Sequence, residues 1–172
     1  MTRPNTTEVA PYYFTYIDQV PDGDILGLLE AQGPDTVTML RRLTDAQSSY
    51  RYAPGKWSIR EVVGHLSDTE RLFVFRAFWF ARGFDSPLPS FEQDVAIASA
   101  RADDRAWQDL VDEFQAVRAS TVPFFRSLTA EAWTRRGIAS DNPFSVRALA
   151  YLTVGHVTHH VKILQERYGI VS

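Results

Sequence analysis

The stretch Ser145–Tyr168 reads SVRALAYLTVGHVTHHVKILQERY. Leu149, Leu152, His156, His160 and Ile163 recur at the three- and four-residue spacing of one face of an α-helix. Gly169 follows where a left-handed C-cap belongs. His156 and His160 lie one turn apart on that face, a spacing that brings two imidazoles onto one ion. The apolar neighbours turn both rings toward a core. His159 falls about 80° from the centre of the pair, so it belongs to the side of the helix and is not taken as a ligand.

Working back along the chain, Ser58 and Glu61 form a capping box, in which each side chain satisfies an orphan amide of the first turn. They open a helix expected from Ile59 to about Phe80, stopping near Gly83. His65 occupies a stripe with Val62, Thr69, Leu72 and Arg76. The denser wall of Leu66, Phe73 and Phe80 is centred to one side. His65 is therefore expected at the edge of the core, beside a cleft. Glu61 and Asp68 flank it by one turn, and either could hold its non-ligating nitrogen. Arg76, three turns on, either binds an anionic substrate group or snorkels to solvent.

Two further long helices complete the pattern. Ile25, Leu28 and Leu29, then Val37, Leu40 and Leu43, form an apolar stripe that Gly33-Pro34 should interrupt or kink. Leu110, Val111, Phe114, Val117, Val122 and Phe125 form another over Ala106–Leu128, with Pro123 as its weak point. A proline-rich loop, GFDSPLPSFEQD at Gly83–Asp94, precedes a short helix over Val95–Ala100. A second loop, Gly137–Pro143, leads into the last helix. No stretch predicts a strand. Four principal helices bury their stripes as an all-α bundle, read as a single domain over 1–172.

With 45% hydrophobic and 23% charged residues, the 172-residue chain has globular composition. A formal charge of −3 and arginines scattered among carboxylates argue against nucleic acid and anionic membranes as partners. The absence of cysteine excludes disulfides, a thiolate nucleophile and Cys-ligated metal. Residues 1–14 lack the charged and apolar regions of a signal peptide, and the apolar run near Leu72–Ala81 is too short to span a bilayer. A cytoplasmic location is expected.

Read from the residues alone, the histidines leave three possibilities: a divalent metal, a buried hydrogen-bonded pair, or acid–base catalysis without metal. Three neutral nitrogens suit zinc, nickel, cobalt or iron(II) and leave positions open for water or substrate. Trp57 and Trp79 read as core or boundary aromatics. Arg147, in the first turn of the last helix where the dipole disfavours it, needs either a carboxylate partner or a substrate. Glu92 and Asp94 read as solvated loop residues that could approach the metal.

The segments PGKWSIREVVGHLSDTERLF (Pro54–Phe73) and Ser145–Tyr168, with the intervening proline-rich loop, resemble the DinB-like family of DinB/YfiT-type metalloenzymes. The resemblance covers nearly the whole chain, and the two histidine-bearing motifs together are specific. It implies a four-helix bundle of up-down-down-up order with a long crossover. It also implies a divalent metal held by His65, His156 and His160. Relatives in the wider superfamily use bacillithiol, mycothiol or glutathione. The leading expectation is accordingly a thiol-dependent S-transferase acting on a small electrophile, with Arg76 or Arg147 steadying an anionic group. A metal-dependent hydrolase and a non-catalytic metal-binding stress-response protein are the alternatives. The resemblance, with Tyr12, Tyr13, Phe14 and Trp133 expected to face outward, also suggests a homodimer.

Overall fold

The computed structural model describes residues 2–171. Four long helices form its frame: α2 (Ile25–Arg41), α4 (Ile59–Ala81), α6 (Trp107–Arg126) and α8 (Val146–Tyr168). Shorter pieces join them: α1 (Phe14–Ile17), α3 (Asp45–Ser48), α5 (Gln93–Ala100) and α7 (Ala130–Thr134). The capping box of Ser58 and Glu61 starts α4, and Gly169 ends α8 at φ 70°. The Ser58 and Glu61 side chains also meet Asp103 and Arg51, tying the start of α4 to the loop before α6.

Side-chain pairs give the order of the bundle. Glu30 pairs with Arg126 and Arg41 with Asp112, so α2 and α6 run antiparallel. Arg60 donates to the Arg105 carbonyl and Glu70 meets Arg118, so α4 and α6 are parallel. His65 meets His156 while Tyr168 donates to the Trp57 carbonyl, so α4 and α8 are antiparallel. The helices form a closed ring, α2–α6–α4–α8, with up-down-down-up direction. Parallel neighbours α4 and α6 need a connection that returns the full length of the bundle, and residues 82–106 supply it.

Neither internal proline breaks its helix. Pro34 and Pro123 lie inside α2 and α6 on exposed turns, where the carbonyl each leaves without a donor can turn to water. Gly33 has a different task from the expected interruption. A Cβ there would lie 2.6 Å from Cγ of Arg118, so the bare backbone makes room for the arginine stem.

The segment 137–143, expected as loop, is instead part of a hairpin. Strands β1 (Arg136–Ala139) and β2 (Asn142–Ser145) pair antiparallel, and Ser140 and Asp141 turn the corner at φ 51° and 58°. Positive φ at both central residues is the twist a two-residue hairpin requires. Gly137 lets the hairpin lie against α4, because a Cβ there would meet the Phe80 ring at 2.0 Å. The proline-rich loop then joins β1: Leu88 N donates to Ile138 O, and Ser140 N donates to Leu88 O.

Two apolar clusters fill the bundle. One gathers Phe73, Phe80, Phe125, Phe144, Leu149 and Leu152; the other gathers Leu40, Ile59, Leu66, Trp107, Phe114 and Leu164. Polar residues lie between them, including the three histidines and the ion pair of Glu70 with Arg118. The aromatics expected outside are mostly covered. Trp133 is buried and stacks on Phe125, Tyr13 and Phe14 pack against the core, and Tyr12 alone of the four is exposed. No helix among the described residues is long and apolar enough to cross a membrane.

Candidate metal centre

His65 on α4 faces His156 and His160 on α8, and all three side chains are buried. The Nε2 atoms of His65 and His156 are 3.0 Å apart. One ligand nitrogen from each of the three residues lies within 4.8 Å of the others. Ring centroids are separated by 4.5 to 5.1 Å. The antiparallel packing of α4 and α8 brings residues 91 positions apart to this point.

Burial sets the electrostatics. It lowers the His65 imidazole to about 4, against a small opposing pull from Asp94. It lowers His160 to about 3, assisted by His65 and His159. His156 is driven well below its ordinary value by burial first and by the other three histidines next. All three rings are therefore neutral near pH 7, with lone pairs free to bind a cation. Neutral, buried and close-set imidazoles are what a divalent ion of zinc type requires, so the residues present fit the group.

Around the ligand nitrogens the structure departs from expectation. The His65 Nδ1 contact is Thr69 Oγ1 at 3.3 Å, not a carboxylate. Glu61 is occupied by the Ser58 amide and Arg51, and Asp68 by Arg71. Trp57 is a wall of the site: its ring lies 5.0 Å from His65 and stacks on His160 at 6.4 Å. Tyr16 and Phe73 present edges to His156 at 5.4 and 5.9 Å. His159 points aside, where Nδ1 meets Gln19 and its ring meets Tyr16.

A cavity of about 340 Å³ opens onto His65 and His156. Thr69, Arg76, Glu92, Asp94 and Ser140 lie along it with Tyr12, Tyr13 and Tyr16. Glu92 and Asp94 are exposed, as solvated residues are expected to be, and they also line the cavity that reaches His65 and His156. Arg147 lies elsewhere. It is bound by the buried carboxylate of Glu8, with Nε at 3.1 Å, and it does not line this cavity. The carboxylate that its unfavourable place on α8 called for is Glu8.

Bundle order, a tri-histidine cluster across α4 and α8 that could hold a metal ion, and an adjoining cavity together define a helical bundle with a candidate metal centre. The chain belongs to the DinB superfamily, whose pattern matches residues 28–164. Among solved structures it is similar to YfiT from Bacillus subtilis, described as a probable metal-dependent hydrolase with an unusual four-helix bundle topology. That likeness has a TM-score of 0.73 at 17% identity and covers 99% of this chain and 95% of YfiT. It is also similar to a mycothiol-dependent maleylpyruvate isomerase, with a TM-score of 0.68 at 15% identity. Here 91% of this chain is covered, but the chain spans only 64% of the isomerase. No curated protein matches.

Proposed function

We propose that this protein is a divalent-metal-dependent enzyme, and that hydrolysis of a small substrate describes it better than the S-transfer expected first. The observation that carries the reading is the convergence of three buried, neutral imidazoles beside a cavity. Likeness to YfiT along almost its full length supports the hydrolytic version. A metal held by His65, His156 and His160 would supply Lewis acidity and a water made acidic enough to act as nucleophile near neutral pH.

The chain's own residues do the remaining work. Trp57, Tyr16 and Phe73 close the sides of the histidine cluster with apolar rings, which excludes bulk water and strengthens local electrostatics. Thr69 fixes the orientation of His65 through Nδ1. Asp94 and Glu92 line the cavity and are the carboxylates that could hold a proton there. The arginine suited to steady a substrate is Arg76, which shares the cavity; Arg147 is committed to Glu8.

S-transfer with an external thiol keeps one specific support, the likeness to the mycothiol-dependent isomerase. The test is a panel of small esters, amides and electrophiles given to metal-loaded protein with and without bacillithiol, mycothiol or glutathione. Metal-dependent product without thiol is the expected result. Product only when a thiol is consumed would replace hydrolysis by transfer, and no turnover of any kind would favour a metal-binding role. A second copy of the chain remains the proposed partner, to be checked by light scattering. The exposed Phe75, Phe78 and Phe84 are the side chains available for that contact.

A further inference from the structure

Arg76 is 2% exposed, yet it forms no ion pair with a carboxylate among the described residues. The other deeply buried arginines are neutralised: Arg60 by Asp45 and Arg118 by Glu70. Arg76 instead gives Nη2 to the Pro89 carbonyl at 3.1 Å and to Ser140 Oγ at 2.8 Å. Its Nε is buried and has no hydrogen-bond partner. The guanidinium lies 5.7 Å over the Phe144 ring and beside the Tyr13 phenol. Burying an unpaired charge is costly, so the fold maintains a cation that nothing among the described residues fully satisfies.

Its position gives that cation a use. Arg76 lines the same cavity as Thr69, His65 and His156. The same cavity carries Glu92 and Asp94, both exposed, and it is His65 that feels the Asp94 charge. The cavity therefore holds one buried cation and two solvated carboxylates.

We propose that Arg76 is the specificity-determining residue of the site and that the substrate class is a small monocarboxylate. Its carboxylate would meet the Arg76 guanidinium where it borders the cavity, with Tyr13 and Ser140 beside it, and its reactive bond would extend toward His65 and His156. A planar guanidinium fork suits a carboxylate. One unpaired cation, in a cavity that also carries two carboxylates, disfavours a phosphate dianion. A cavity of about 340 Å³ lies at the small end of ligand pockets, which limits the acid to a short or single-ring compound. This inference rests on the proposed enzymatic site, but carboxylate binding needs no turnover and no metal.

The test is equilibrium binding to chelator-treated protein of acetate, butyrate, benzoate and phenylacetate, each beside its neutral amide, with inorganic phosphate as a further ligand. The readouts are the Arg76 Nε–H resonance and the ligand-dependent rise in Tm. At least one carboxylate should bind saturably and move that resonance, and its amide should bind at least about tenfold more weakly. Arg76→Lys should keep part of the affinity and Arg76→Met should lose it. His160→Ala should keep it, which separates failure of the metal reading from failure of this one. Carboxylates that bind no better than amides, phosphate that binds more tightly than every carboxylate, or no saturable ligand would each overturn the proposal. The resonance in the unmutated protein decides the matter even if Arg76→Met fails to fold.

Discussion

Nε2 of His65 and Nε2 of His156 stand 3.0 Å apart across the α4–α8 interface, with His160 completing the cluster one turn further along α8. Two neutral imidazoles at this distance share one proton when metal-free, and a cation would replace that proton. We expect about one divalent ion per chain, measured by elemental analysis after metal-free purification and reloading. His65→Ala, His156→Ala and His160→Ala should each remove most of the binding. His159→Ala should change it little, because that ring is turned to Gln19 and Tyr16. Saturable binding that survives all three ligand variants would sink the assignment.

The same burial makes the metal-free protein acid-sensitive above the usual carboxylate range. His65 titrates at about 4 and His160 at about 3 when folded, whereas unfolded histidine titrates near 6.5. Between those values the unfolded chain binds more protons than the folded one, so stability falls as pH falls. Loss should begin just below pH 6.5 and continue toward pH 4. Glu8 and Glu113, held low by arginines, act only nearer their ordinary 4.5. Urea midpoints of chelator-treated protein at pH 7 and pH 5 isolate the histidine contribution, and equal midpoints would count against neutral, buried rings.

Much of this site is legible in the sequence because its information is local. His156 and His160 share one helix face by spacing alone, and the Ser58–Glu61 box fixes where α4 begins and thus where His65 points. Other features depend on distant partners or on rotamers. Thr69, Asp68 and Glu61 all lie a turn from His65, and only the side-chain conformation selects Thr69. Arg118 finds Glu70 48 residues away, so neither residue signals the pair. Strands of four residues, joined by Ser140-Asp141 without a glycine, carry too little alternation to be read as a hairpin. Ser140 consequently gives no sequence sign of its contact with Arg76.

The pair just named supports a stability prediction. Arg118 makes two contacts of 2.8 Å to Glu70 and donates Nη1 to the Leu29 carbonyl and to Gln32, all in the interior. Glu70→Ala leaves a buried guanidinium without its carboxylate and should cost roughly 3–5 kcal/mol. Adding Arg118→Met should recover much of that loss, since the isolated charge is then gone. Chemical denaturation of the single and double variants checks it; additive losses would mean that the pair is not coupled.

Gly155 tests the docking of the N-terminal segment over the metal centre. A Cβ at this position of α8 would lie 2.3 Å from the Tyr16 carbonyl oxygen, and backbone cannot yield as a flexible side chain would. Gly155→Ala should displace α1 at a cost of about 1–3 kcal/mol, despite the better helix propensity of alanine. Tyr16 would then leave the edge of His156. A lower Tm together with faster proteolysis before residue 20 is the expected result, and an unchanged Tm would count against close docking of Tyr16 on α8.

Trp57 gives the metal centre an optical reporter. Its indole lies 5.0 Å from His65 and stacks over His160. Trp107 and Trp133 are buried in the two apolar clusters, and Trp79 stacks on Phe84 near the end of α4. A cobalt or nickel ion at the histidines would quench the nearest indole most strongly, because quenching by an open-shell ion falls steeply with distance. Titrating metal-free protein with cobalt should therefore lower tryptophan emission with a one-to-one endpoint. Zinc, with its closed shell, should change emission much less. In Trp57→Phe the cobalt response should largely disappear while elemental analysis still finds one ion. Quenching that persists undiminished in Trp57→Phe would place the bound metal away from His65, His156 and His160, and would remove the basis for the proposed enzyme.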